Sequence, residues 1–121
     1  VVIKNNINFD DLANDNIEYQ LMQNAADWLL NFSKLVNDFK LNNDEIAVFG
    51  TGPAAAWTAS ILGEQCKVYL DEDTMRVGSL FNEKLIVNPN KFSKSIPVIA
   101  PFPDYQLNWI KNRFINLKFL N

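Results

Sequence analysis

The stretch EIAVFGTGPAAAWTASILG, residues 45–63, constrains this chain more than any other. A short apolar run, Ile46–Phe49, leads into Gly50-Thr51-Gly52, and a row of small residues follows before Gly63. A nearly all-apolar run of this length is what a strand covered on both faces shows. Pro53 stands where the first turn of a helix tolerates a missing N–H. Gly63 is suited to end that helix, Pro53–Leu62. Strand, glycine turn and helix in this order predict the first β–α unit of a parallel sheet.

The alternation continues downstream. Lys67–Leu70 reads as a second strand, followed by the acidic turn Asp71-Glu72-Asp73, and Lys84–Val87 reads as a third. Asn88-Pro89-Asn90-Lys91-Phe92 suggests a turn with one turn of helix. Val98–Ala100 is a fourth strand, with Pro97 tolerable only at its beginning. Asp104 is placed to cap a helix over Tyr105–Phe114, and Leu117–Leu120 closes as a last strand. Strands alternating with helices imply right-handed crossovers. The expected fold class is therefore α/β: a Rossmann-like parallel sheet of about four to five strands flanked by helices, preceded by a long N-terminal helix.

That helix is expected from Ile17 to Leu41, where Leu21, Ala25, Trp28, Leu29, Phe32, Leu35, Val36 and Phe39 recur at three- and four-residue steps. Asp15 and Glu18 have the spacing of a capping box at its start, and Asn42-Asn43-Asp44 ends it. Its apolar face can cover the following sheet, or serve a homodimer or interdomain contact. Residues 1–9, Asn-rich and aperiodic, are expected to be loosely held or docked on a partner surface. Trp28, Trp57 and Trp109 are expected in the core. The chain thus divides into an N-terminal segment with a connector helix, 1–44, and a Rossmann-like nucleotide-binding-type domain, 45–121. Beginning Val1-Val2, it reads as a piece of a longer polypeptide or a processed one.

Composition narrows the chemistry. No His occurs, which removes His–Cys metal sites, Ser-His-Asp triads and histidine acid–base catalysis, and no metal ligand or catalytic residue is singled out. The single Cys66 cannot form an internal disulfide and suggests a reducing, cytoplasmic setting. A small buried side chain is the expectation for it, with no His to activate it as a nucleophile. The sequon Asn31-Phe32-Ser33 falls inside the expected helix. No apolar run reaches the roughly 20 residues that cross a bilayer, and no membrane partner is expected. Up to Glu45 eight acids face three lysines, whereas from Ile46 onward eight basic residues slightly outnumber six acids. The second part tolerates an anionic small ligand, but neither part has the basic-plus-aromatic signature of nucleic-acid binding.

Gly50-Thr51-Gly52-Pro53-Ala54-Ala55 fits the G-x-G-x-x-G/A turn of dinucleotide-binding folds. There the first glycine allows the sharp turn and the second lets a phosphate approach the backbone. The small third residue lets helix pack on strand, and the helix N-terminus offers free N–H groups. Asp71 follows about 20 residues later at the end of the next strand, where an acid binds ribose hydroxyls. Pro53 removes one N–H from the cradle, partly offset by the Thr51 hydroxyl. The same glycines and alanines also serve a Rossmann-like sheet as mere scaffold.

From Ile46 to Phe114 the chain resembles the Rossmann-like C-terminal domains of nucleotide-sugar C-methyltransferases, SAM-dependent enzymes, and the related N-terminal domains of sugar acetyltransferases. The resemblance is carried by IAVFGTGPAAAWTASIL, KVYLDED, RVGSLFNEKLIVNP and IPVIAPFPDYQLNWIKNRF. It implies a nucleotide or nucleotide-sugar recognition domain, non-catalytic by itself, within a larger sugar-modifying transferase, with an upstream catalytic domain. Carried over, Gly50, Thr51 and Gly52 would lie near phosphate and Asp71 near a ribose or base. Arg76, with Gly78 at the group's basic-Gly position, would be within reach of a phosphate. Pro53, and the paired Pro101 and Pro103 after the fourth strand, depart from the pattern. That loop is expected to narrow or reshape the site. Two other readings stay open: an NAD-binding oxidoreductase fragment, and a structural or dimerisation module with an empty Rossmann-like fold.

Overall fold

The computed structural model describes residues 9–92 and 95–121. The chain forms two compact units, one ending at Phe32 and the other running Ser33–Asn121. Helix α1, Phe9–Asn42, runs through the boundary. It starts well before the expected capping box, so Asp15 and Glu18 lie inside it. The cause is plain in the sequence: no Gly or Pro occurs before Gly50 to stop a helix from extending. Side-chain bonds one turn apart, Gln20 to Asn24 and Gln23 to Asp27, support its exposed surface. The expectation for residues 1–9 lies outside the described residues, except that Phe9 already begins α1.

In the first unit Ile17, Leu21, Met22, Leu29 and Leu30 are exposed, and half-buried Trp28 stacks on Phe32 at 4.9 Å. In the second unit Val36 is fully buried. The end of α1 is closed by side chains rather than by a glycine. Asn42 and Asn43 donate to the Asp38 and Phe39 carbonyls, and Gln65 Nε2 donates to those of Lys40 and Asn43. Of these, the Phe39 and Lys40 carbonyls belong to the last turn, whose C=O groups have no intrahelical donors, and Asn43 lies just beyond the helix. Lys40 Nζ in turn donates to Ile61 O of the next helix.

Strand β1, Ile46–Phe49, is buried at every position, as a strand covered on both faces must be. Helix α2, Pro53–Leu62, begins with Pro53 in its first turn and ends at Gly63. A short 3-10 turn leads into β2, Cys66–Leu70. Then come β3, Leu80–Phe81, and β4, Lys84–Val87; a 3-10 turn at Pro89–Lys91; β5, Val98–Ile99; and α3, Asp104–Arg113. The sheet order is β3-β4-β2-β1-β5. β4, β2, β1 and β5 are parallel, with Val48 opposite Tyr69 and Ile99, and Tyr69 opposite Ile86. With β1 inside the sheet and later strands added on either side of it, this is a Rossmann-like α/β arrangement.

Two local expectations are corrected and one strand is added. The added strand, β3, pairs with β4 antiparallel, through a two-residue turn at Asn82 and Glu83, both with positive φ. Leu117–Leu120 does not form a full strand, and Phe119 joins the edge as an isolated parallel bridge to Val98. Asp104 is the first residue of α3 rather than its cap, because Pro103 takes the capping position. There Asp104 still lies near the positive end of the helix.

Side-chain alternation along the strands divides the core. On one face Ala47, Phe49, Leu70, Val98 and Ala100 cluster with Ile110 and Phe114 of α3. Ile46, Val48, Tyr69, Ile86 and Ile99 alternate with these and are buried too. Thr58, the one polar residue among the buried side chains described, is satisfied by donating to Ala54 O at 2.8 Å.

The Asn82-Glu83 turn yields a prediction of definite sign. Both residues have positive φ, the geometry for which Asn-Gly is preferred in two-residue hairpins. Glu83→Gly is expected to stabilise the protein by about 1 kcal/mol by relieving left-handed backbone at a residue with a Cβ. A raised urea midpoint at unchanged slope would show it, and a lowered midpoint would refute it.

Candidate functional site

The site forms at the carboxyl end of β1. Gly50 leaves β1 with φ +103°, and its N–H donates to Leu70 O at 2.7 Å, tying the bend to the end of β2. A Cβ on Gly50 would stand 3.2 Å from Phe102 Cζ and 3.9 Å from Ala55 Cβ. The fold itself therefore demands glycine here, for backbone angle and for space. Gly52 differs. It caps α2 with φ −87° and ψ −174°, an ordinary extended conformation, and a Cβ built on it would meet nothing within 4 Å. No feature of the protein chain requires glycine at position 52.

The N-terminus of α2 has no side-chain cap. Its first intrahelical bond runs from Ala56 N–H to Gly52 O, and Pro53 supplies no N–H, so Ala54 and Ala55 carry the donors that point out of the helix end. The sequence-predicted site residues gather around this point. Thr51 Oγ1 donates to Asp71 Oδ2 at 2.5 Å and accepts from Arg76 Nη1 at 2.7 Å. Arg76 also lies 3.6 Å from Asp71 Oδ2 and 3.4 Å from Asp73 Oδ2. Asp71 Oδ1 accepts the Asp73 N–H, and Asp73 Oδ1 accepts that of Met75, so the acidic turn is folded on its own carboxylates. Gly50, Thr51, Gly52, Asp71 and Arg76 are thus brought together. Gly78 serves the backbone instead: with φ +88° it donates to Ile86 O, pinning the loop against β4.

Asp71 is turned toward the glycine turn, its side chain 18% exposed. Each carboxylate oxygen holds about two acceptor sites. Further acceptor capacity therefore remains beyond its bonds to Thr51 and Asp73. A cavity of about 490 Å³ opens over Gly50–Ala55 and Asp71, bounded across the mouth by Glu72, Pro101, Phe102, Pro103 and Gln106. Pro101 and Pro103 flank Phe102 in this lining, and the Phe102 ring is the nearest group to a Cβ placed on Gly50. A second cavity of about 560 Å³ shares Phe49, Glu72, Phe102 and Gln106 with the first and extends along α3 to Tyr105 and Trp109.

The α3 side of the mouth was not legible as a site. Trp109, expected in the core, is exposed, and Trp57 is half-buried. Arg113 lies 5.3 Å from the Trp109 ring centre and pairs with Glu72 at 2.5 Å. The only hint in the sequence was the position of the Pro101-Phe102-Pro103 loop at the carboxyl end of a strand, where ligands sit in open α/β sheets.

Cys66 is fully buried at the start of β2, remote in the sheet from the turn. Burial pushes its thiol up to about 11, only partly offset by the Lys84 ammonium. It is therefore protonated and unreactive at neutral pH. Among the described residues no group of three or more His, Cys, Asp or Glu side chains is placed to hold a metal ion, and no helix is long and apolar enough to cross a membrane. No family model, curated protein or solved structure matches this chain.

The buried thiol gives a pH dependence. The unfolded thiol ionises near 9.0 and the folded one near 11, so the folded state keeps its proton longer. That contribution to stability is full below pH 9 and is lost as pH rises through 11. At about 1.4 kcal/mol per unit, the loss is about 3 kcal/mol. Tyr69, raised chiefly by burial, acts in the same direction. Urea unfolding at pH 8 and pH 11 should show the drop, and Cys66→Ala should flatten it; a slope that Cys66→Ala leaves unchanged would refute the assignment.

Proposed function

We propose that this chain is a nucleotide-recognition module, non-catalytic by itself, that binds a nucleotide or nucleotide-sugar as part of a larger cytoplasmic sugar-modifying enzyme of the methyltransferase type. The observation that carries the reading is Gly52. A position with ordinary backbone angles and open space above it has no structural need of glycine, whereas a phosphate resting on the end of α2 needs the absence of a Cβ. Asp71, in reach of Thr51 across the turn, supports it as the acceptor for ribose hydroxyls. On this reading Ala54 and Ala55 N–H groups face the phosphate, Arg76 flanks it, and the reaction occurs in a partner domain. The resemblance to nucleotide-sugar C-methyltransferase and sugar acetyltransferase domains supports a sugar-linked nucleotide over NAD.

A second reading, an empty scaffold used for assembly, is favoured by two observations. Thr51, Asp71 and Arg76 already bond to one another, and apolar residues of α1 stand exposed. Leu21→Asp tests it: an oligomer converted to monomer in the ultracentrifuge supports assembly through α1, and an unchanged state removes that role from the helix.

Calorimetric titration of the full chain with UDP-, TDP- and GDP-sugars is expected to give saturable heat with at least one. Silence with all three at millimolar concentration overturns the binding reading. Gly52→Ser sharpens the test. Serine is a better N-cap than glycine by a few tenths of a kcal/mol, so the melting temperature should hold or rise slightly. The new side chain occupies the cradle and competes for its N–H donors, so affinity should fall at least tenfold. Asp71→Ala should lower it by about 10- to 100-fold, the cost of hydrogen bonds to a charged acceptor.

A further inference from the structure

The reading above assigns residues only as far as the ribose and phosphates, and none of them lies in the cavity along α3. Its walls are aromatic: Phe49 and Phe102 below, and Tyr105 and Trp109, 80% and 58% exposed, at the rim. Its polar groups are few and neutral or acidic, namely the Gln106 amide, the Tyr105 hydroxyl, the Trp109 indole N–H and the Glu72 carboxylate. Arg113 stacks on Trp109 and pairs with Glu72 through Oε2, which holds both at the rim and leaves Glu72 Oε1 to accept. Arg113, the cation paired with this lining, is thus already engaged.

The two cavities share a wall of four residues, so a ligand lying on the glycine turn continues into the second. Direction follows from the sheet order. Asp71 ends β2 on one side of β1, while Phe102 and α3 follow β5 on the other. A diphosphate on Gly52 with its ribose toward Asp71 therefore sends its far substituent over Phe102 toward Trp109. Aromatic faces carry negative potential and attract the polarised C–H groups on the apolar side of a pyranose. A carboxylate and an amide at the rim match vicinal hydroxyls, which donate to one and exchange both ways with the other. A mainly apolar pocket with a few convergent polar groups is the form of a specificity site for a small neutral ring.

We infer that the α3 cavity is a hexose subsite, in which Trp109 stacks on the sugar and Gln106 and Glu72 bind its hydroxyls. The inference rests on the nucleotide reading and specifies the group attached beyond the phosphates.

The full chain is titrated in the calorimeter with UDP, TDP and GDP, with the corresponding diphosphate-glucoses, and with NADH, as wild type, Trp109→Ala and Gln106→Ala. Both substituted residues are exposed, and a melting curve confirms that each variant is folded. The glucose conjugate is expected to bind wild type at least fivefold more tightly than its parent diphosphate. Trp109→Ala should abolish that difference while changing the parent's affinity less than twofold, and Gln106→Ala should reduce it. If the diphosphate binds but glucose adds nothing, or if Trp109→Ala weakens both ligands equally, the hexose subsite is refuted and the nucleotide reading survives. Tighter binding of NADH than of every sugar conjugate, sensitive to Trp109→Ala, refutes it in favour of a nicotinamide ring. Binding of no nucleotide to wild type refutes both.

Discussion

The bend at Gly50 is the constraint on which the rest of this fold depends. β1 is an interior strand, buried along its whole length, and it must end abruptly so that α2 can return across the sheet. The left-handed φ of Gly50 provides the change of direction, and its N–H to Leu70 O bond fixes the bend to β2. The aromatic cluster of Phe49 with Phe102, Phe114 and Phe119 packs directly beneath. Any side chain at 50 would meet both strain and the Phe102 ring, so the ends of β1, β2 and β5 and the start of α2 are set by one residue.

The two glycines of the turn therefore carry different information. Gly50 is explained by the protein alone, and its presence would be the same in an empty scaffold. Gly52 is not explained that way, since serine or aspartate there would cap α2 better. The Thr51–Asp71–Arg76 chain admits both readings in energetic terms. Hydrogen bonds to charged groups contribute about 1.5–3 kcal/mol, and a ligand hydroxyl can enter the remaining acceptor sites of Asp71 without breaking the bond to Thr51. Internal closure of the mouth is then compatible with binding, because it orients the carboxylate in advance.

What the sequence made legible follows from the kind of signal. The buried parallel strands and the α2 turn stand out because apolar runs and glycine spacing report local backbone needs. Gly50, Asp71 and Arg76 could be grouped because strand ends in an α/β sheet lie on one edge. The start of α1 was misplaced because Asp15 and Glu18 imitate a cap, while nothing upstream breaks the helix. The β3–β4 hairpin was hidden because Asn82-Glu83 puts a charged residue where Gly would have announced the turn. Trp109 was misassigned for a different reason. Its exposure depends on which face of α3 meets Phe49 and Phe114, a tertiary fact that periodicity over ten residues does not fix.

Charge around the mouth limits what can hold a ligand there. Asp71, Glu72 and Asp73 face Arg76 and Arg113, and the two cations are already paired with those acids. A diphosphate brought to Gly52 meets no free cation among these groups. Its charge must be met by the backbone donors of Ala54 and Ala55 and the positive end of α2, one donor fewer than usual because of Pro53. Those donors alone contribute little against the repulsion of three carboxylates. A nucleotide-sugar bound at this edge of the sheet would therefore have to draw mainly on neutral contacts: hydroxyls to Asp71 on one side of the phosphate, and ring stacking with hydroxyl bonding along α3 on the other. A ligand bearing sugars on both sides of its phosphates matches that distribution, and a bare phosphate does not.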